Sequence, residues 1–340
     1  PQTAWRHVCH WICRVPLIAA LTGRRVIDST DGHRRFQAAV LAFMLLAPLV
    51  AAGVYAAAEA KRQEIPTQVE LAGGLEGGVY ESLSRRLGDR LTQMAGVSVN
   101  VLGSGGSIDN RQRLINEEVH LAPMQAVAMN DESLCVVAPL FYEAVHVLVR
   151  ADSNIQSPEG LGGHRIAVGL QGSGSRLAAE MVLDSLGHLP ETTPRVSIAW
   201  PSLAQGDAND PSLPDVAVVC IGKGSQLAAD MLKSGNWQLL ALPGAIDISL
   251  QHPSLRPMTI RDADYPDAGL PERGIETVGM TAFLAAKTSA PDKLVTAALD
   301  ALYQSPAIAP GLISREQVQE WQGLAFHRAA RKYFEVVEKP

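Results

Sequence analysis

Three glycine- and serine-rich turns hold the residues best suited to chemistry in this chain: GGLEGG at 73–78, GSGGS at 103–107 and GSGS at 172–175. Each follows a short apolar run and precedes apolar residues at helical spacing, so each reads as a strand–turn–helix junction. At such a junction the first turn of the helix offers backbone N–H groups without intrahelical partners and the positive end of the helix dipole. Glycines there let the backbone approach a ligand closely, and serine hydroxyls donate or accept without adding charge. Two turns fall in one α/β unit and one in the next, the arrangement of a cleft that clamps an anionic ligand from both sides. The candidate binding residues are Gly77, Gly78, Tyr80, Ser104, Gly105, Gly106, Ser107, Gln125, Gly172, Ser173, Gly174 and Ser175, with Lys223 at the edge as the one full positive charge. Ser107→Ala and Ser173→Ala are expected to weaken ligand binding while leaving the unliganded fold nearly as stable.

Other chemistries lack their patterns. Neither GSGGSIDN nor GLQGSGSR ends in the GK[ST] of a P-loop, and no G-x-S-x-G nucleophile elbow occurs at these turns. The glycine spacing of GGLEGG is wrong for a dinucleotide fingerprint. His120, His146, Glu118 and Asp109 are acids and bases without motif spacing, and His146 sits in an apolar strand where a structural role is the plainer reading. Cys9 and Cys13 flank His10 in CHWIC, but no second half of a metal site follows, and Cys135 and Cys220 read as small buried hydrophobes. We therefore expect a binding protein and not an enzyme, with no catalytic residues, no metal and no cofactor.

The elements that must position these turns follow a βαβα rhythm. Gln68–Ala72, Ser98–Leu102 and Val119–Met124 read as strands, alternating with helices over Tyr80–Met94 and around Asn110–Glu117. A second set follows: strands at Ala144–Arg150, Arg165–Gly169, Val196–Trp200 and Val216–Ile221, with a helix at Arg176–Leu186. Residues 201–215, rich in Pro, Asp and Ser, read as a loop; Thr277–Ala286 is a late strand, and Pro291–Tyr303 and Ser314–Phe334 are closing helices. The chain is expected to leave a first lobe, residues 66–145, and return to it with residues 280–335. A second lobe spans 146–279, and the crossings lie near Glu143–Val147 and Thr277–Ala282.

The 340 residues, 47% apolar and 5% aromatic, are enough for about two domains with cores of Ala, Val and Leu. A net charge of −6, with no basic stripe interleaved with aromatics outside the first segment, argues against nucleic acid as a partner. The stretch 36–58, FQAAVLAFMLLAPLVAAGVYAAA, carries no charge and is long enough to cross a bilayer. Arg24, Arg25, Arg34 and Arg35 precede it, which by the positive-inside rule keeps residues 1–35 in the cytoplasm and the rest outside. A retained transmembrane anchor is favoured over a signal peptide cut near Ala56–Ala60, because the run is long for a signal core.

At these residues the sequence resembles the TRAP-associated extracytoplasmic receptor (TAXI) family, the solute-binding subunits of tripartite ATP-independent periplasmic transporters. The resemblance runs from about Val69 to Glu335 and rests on Gly77-Gly78-Val79-Tyr80, on Ser104-Gly105-Gly106-Ser107 with Asn110, on Gln125, and on the stretch EAVHVLVRADSNIQSPEGLGGHRIAVGLQGSGS. It implies an α/β, two-lobed type II periplasmic-binding-protein fold and a small organic acid or amino acid held between the lobes. It also implies TRAP permease membrane subunits as partners and a periplasmic location; a membrane-anchored ligand sensor of the same fold is the alternative. The sequence departs from the family where Glu81 replaces a second tyrosine, where Val127 replaces an aspartate, where Gln171 replaces a proline, and where Gly222-Lys223-Gly224 replaces Gly-x-Pro.

Overall fold

The computed structural model describes residues 29–76, 78–205, 210, 213–303, 308–309, 311–319 and 324–335. The candidate Gly77, together with Cys9, His10 and Cys13, lies outside them. Two compact units divide at Arg62. Among the described residues of the first lies the helix α1 (Ser29–Arg62), 34 residues long with Pro48 inside it. Its stretch Arg34–Ala60 is long and apolar enough to cross a membrane, and Phe36, Phe43 and Leu45 stand exposed on it.

The second unit opens with the expected alternation. β1 (Gln68–Ala72) leads into α2 (Val79–Ala95), and β2 (Ser98–Leu102) into α3 (Ser107–Ile115). β3 (Ala122–Gln125) follows, shorter than the apolar run that marked it. β1 and β2 pair in parallel, and a single parallel bridge from Leu71 to Leu121 lays the lead-in to β3 beside them. Amphipathic spacing makes α2: Leu83, Leu87 and Leu91 form one buried stripe, worth roughly 1.5–3 kcal/mol per side chain.

β4 (Leu134–Arg150) is longer than the strand expected at Ala144–Arg150. Pro139 and the pair Tyr142-Glu143 break its apolar run in sequence, yet the backbone stays extended through both. Pro139 lies beside shifts in the register with β10, where an irregular ladder tolerates a missing N–H. Beyond it come β5 (Ile166–Ala167), α4 (Gly174–Ser185), β6 (Arg195–Val196), α5 (Trp200–Gln205) and β7 (Val216–Gly222). Helix α5 begins within the stretch read as strand and then loop. Then follow α6 (Gln226–Lys233), β8 (Trp237–Leu240), α7 (Ala245–Gln251), β9 (Arg256–Ile260) and β10 (Ile275–Lys287). The chain closes with α8 (Asp292–Tyr303), α9 (Arg315–Gln319) and α10 (Arg328–Phe334).

The main sheet runs β3-β10-β4-β7-β5-β6, with β8 against β4 and β9 against β10. At roughly 3.3 Å per residue β4 extends about 55 Å, so it passes through two separate cores. Its first half joins a cluster with Leu83 and Leu87 of α2, Leu294 and Val295 of α8 and Phe334 of α10. Its second half joins a cluster with Ala178 and Val182 of α4 and Val218 of β7. The antiparallel strands β4 and β10 are thus shared, with Glu143 opposite Met280 where one cluster gives way to the other. Gly279 makes that crossing possible: a Cβ there would collide with the Glu143 carbonyl oxygen and stand 3.0 Å from the Ala144 Cα.

Candidate functional site

The turns after β1 and β2 and the turn before α4 converge on a cavity of about 150 Å³. Gly78, Tyr80, Gly105, Gly106, Ser107, Gln125, Ser173, Gly174 and Ser175 all line it. The two halves of the unit touch across it. The Ile108 N–H at the start of α3 donates to the Gly172 carbonyl at 3.2 Å. Gly174 is pressed so close to the opposite wall that an added Cβ would lie 2.8 Å from the Ser107 Oγ and collide with the Gln125 Oε1.

A carboxyl group absent from the sequence-derived candidates sits in this wall. Glu143, only 5% exposed, projects from β4 into the cavity. Gln125, at the end of β3, donates from Nε2 to Glu143 and, at 3.3 Å, to the Cys220 carbonyl. Because the amide nitrogen serves those two acceptors, Oε1 is left facing the other way, without a hydrogen-bond partner. The Tyr80 hydroxyl lies against Glu143 and Ser107 but makes no hydrogen bond of good geometry. Its ring packs on Phe141 with centroids 6.2 Å apart. Burial raises the Glu143 pKa to about 7, although contacts with Gln125 and Tyr80 favour its ionised form. Burial also pushes the Tyr80 hydroxyl and the Cys220 thiol well above their usual ranges, so both stay neutral.

The serines are less free than expected. The Ser107 Oγ accepts the Gln125 backbone N–H at 3.1 Å. Ser173 is the N-cap of α4, accepting from the Arg176 N–H at 3.2 Å and donating to the Leu170 carbonyl at 2.8 Å. The Ser175 Oγ accepts the Cys220 N–H at 2.8 Å. Substituting Ser107 or Ser173 therefore removes protein hydrogen bonds as well as a hydroxyl at the cavity, which corrects the expectation of an unchanged unliganded fold.

Three candidates stand away from the cavity wall. The Ser104 Oγ turns back to the Gly73 carbonyl at 3.4 Å and accepts the Gly106 N–H at 3.3 Å, which shapes the turn. Gly172 contributes its carbonyl to Ile108 instead. Lys223 Nζ is directed to Asp264 at 3.4 Å and lines a separate, larger groove of about 940 Å³ with Arg256, Arg261 and Arg273. Strand alternation divides the two spaces: Tyr142 faces that groove, under Arg256 at 4.5 Å, and its neighbour Glu143 faces the small cavity. We take the small cavity as the site because the glycine turns and the unpartnered buried polar atoms meet there.

Trp200, at the start of α5, also lines the cavity. Asn110 is buried and clips the first turn to β3, donating to the Gly73 and Pro123 carbonyls at 2.9 and 2.7 Å. Glu81, the departure from the tyrosine pair, binds Arg85 one turn along α2 at 2.6 Å and is not part of the wall. His146 is fully buried, bonded to the Ala144 carbonyl and the Tyr265 hydroxyl, and burial lowers its pKa to about 4. It is far from being a base on the cavity: its partners are structural. Among the described residues no group of His, Cys, Asp and Glu is arranged to hold a metal ion.

The fold is similar to MatC from Rhodopseudomonas palustris, solved with bound malate, at 13% identity over 80% of this chain and 96% of that one, with a TM-score of 0.52. It is also similar to PhnD1 from Prochlorococcus marinus, solved with methylphosphonate, at 11% identity over 80% and 97% of the two chains, with a TM-score of 0.50. These likenesses establish the fold as that of the periplasmic binding proteins. No curated protein sequence matches the chain. The match to residues 71–337, from the end of β1 to just past α10, includes every wall of the cavity, and by it the chain belongs to the NMT1-like family.

Proposed function

We propose that this chain is the extracytoplasmic solute-binding subunit of a TRAP-type transporter, of the TAXI subfamily. In this reading residues 66–145 with 280–335 form one lobe and 146–279 the other. They close on a small organic acid or amino acid and deliver it to permease membrane subunits. The observation that carries it is the convergence of three glycine–serine turns, from both sides of the β4–β10 crossing, on one small cavity. The motif residues that resemble TAXI receptors are largely the residues that line it. Binding and release need no covalent chemistry.

A thermal-shift screen of organic acids and amino acids on the full chain in mild detergent tests the reading. A true ligand at a hundred times its dissociation constant adds about 2.7 kcal/mol to apparent stability. A complete absence of shifts across both classes would sink it. The tether, residues 36–58, is tested separately: alkaline carbonate should leave the protein in the membrane fraction, and its release would remove the anchor from the proposal.

A further inference from the structure

The cavity is rich in acceptors and has no cationic side chain. Every side chain on its described wall is neutral except Glu143. Around that carboxyl stand Tyr80 from α2, Gln125 from β3, Cys220 from β7 and Met280 across β10, and none of them brings positive charge. A buried carboxylate without a countercharge is costly, and carboxyls so placed in a cavity cluster at functional sites. Beside it, Gln125 Oε1 is buried without a hydrogen-bond partner, and the Tyr80 hydroxyl lies against Glu143 and Ser107. The Glu143 carboxylate has acceptor positions beyond those that Gln125 Nε2 and Tyr80 reach, and these suit the N–H donors of an ammonium group.

Size limits the ligand further. A cavity of about 150 Å³ holds a molecule of about six non-hydrogen atoms, by analogy with engineered cavities of that volume that admit benzene. The first turns of α3 and α4 face the same space and can hold a carboxylate at the far end of so small a molecule.

Resting on the receptor reading above, we infer that Glu143 makes the site selective for a small ammonium-bearing solute of amino-acid size over the corresponding plain organic acid. The ammonium sits on the Glu143 carboxylate. Glu143 lies where β4 crosses between the two cores, so the same contact ties ligand charge to the approach of the two halves. Its elevated pKa adds a consequence: between pH 6 and 8 an ammonium ligand must displace a proton from Glu143, so binding strengthens as pH rises. The rival arrangement, a protonated Glu143 donating to a ligand carboxylate, gives the opposite slope.

The test is calorimetry on the full chain in detergent at pH 6 and 8 with matched probes: alanine against lactate, serine against glycerate, and ethanolamine against ethylene glycol. The expected result is binding of the amino member of at least one pair, about a hundredfold tighter than its hydroxy partner. That affinity should rise several-fold from pH 6 to 8 with release of protons to the buffer, and Glu143→Gln should lose about a hundredfold. A hydroxy probe that binds as tightly as its amino partner, affinity that falls with pH, or an undiminished Glu143→Gln variant overturns the ammonium assignment and leaves the receptor reading standing. Silence from every probe overturns the ammonium assignment, and equal silence in the wider screen overturns the receptor reading as well. The wild-type comparison of matched pairs decides the question even where the variant folds poorly.

Discussion

Glu143→Gln should make the unliganded protein more stable at pH 8. The wild-type carboxyl is carried from an ordinary value of 4.5 to about 7 by burial. Its folded-state pKa is therefore raised, and the folded protein holds the proton more tightly than the unfolded chain. That advantage is fully present below about 4.5 and is lost as pH rises through about 7. Each tenfold in proton affinity is worth about 1.4 kcal/mol, so at pH 8 the ionised group opposes folding by up to about 3 kcal/mol. Glutamine has nearly the same shape, cannot ionise, and its Oε1 can still accept from Gln125 Nε2. Urea unfolding of both proteins in mild detergent, followed by tryptophan fluorescence that includes the buried Trp200 and Trp237, gives the difference at each pH. The variant's advantage should be near zero at pH 4.5 and grow to about 1–3 kcal/mol at pH 8. His146 and the other titrating groups are common to both proteins and cancel. A difference that does not change with pH, or a wild type that is the more stable at pH 8, would refute the account of Glu143 as a buried, uncompensated carboxyl.

Other expectations follow from the same packing. Gly174→Ala puts a methyl between α4 and the wall formed by Ser107 and Gln125; overpacking of about 1–3 kcal/mol falls on the approach of the two halves, so ligand affinity should drop about 5- to 150-fold in calorimetry. Gly103→Ala, which meets nothing within 4 Å, is the control, and equal affinities for the two variants would discount the contact. Ser107→Ala strands a buried N–H of Gln125 and Ser173→Ala removes the α4 cap, so each should lower unliganded stability by about 1 kcal/mol or more, and unchanged urea midpoints would contradict the hydrogen bonds described. His146 is held neutral with its pKa lowered from 6.5 to about 4; its contribution is complete above pH 6.5 and is lost as pH falls toward 4, on the order of 3 kcal/mol. Between pH 6.5 and 4 His146→Gln should therefore lose less stability than the wild type, since Glu143, His327 and the carboxylates are common to both; identical pH profiles would show that His146 contributes nothing to them.

Much of this fold is local information. The alternating strands and helices from Gln68 to Ile115 announce themselves because their periodicity and glycine punctuation act over a few residues. The same is true of the serines and glycines that line the cavity, since a strand–turn–helix junction places its own residues at the sheet rim whatever lies beyond. The apolar run of α1 is equally plain from composition. Less visible was β4, whose length is hidden by Pro139 and Glu143, and the short helix that brings Trp200 to the cavity, hidden by the prolines after it.

What the tertiary structure decided is the charge of the site. In sequence Glu143 is one polar residue in an apolar strand, 18 positions from Gln125, and nothing nearby gives it a role. Its meaning depends on β3, β10, β4 and β7 lying side by side, which sets Gln125 and Cys220 around it. Lys223 shows the converse: its flanking glycines favoured a place at the ligand, but Asp264, 41 residues later, draws it into the other groove. A strand's side chains alternate from face to face, so one residue of register decides which cavity a charge enters, and register is fixed only by pairing across the sheet.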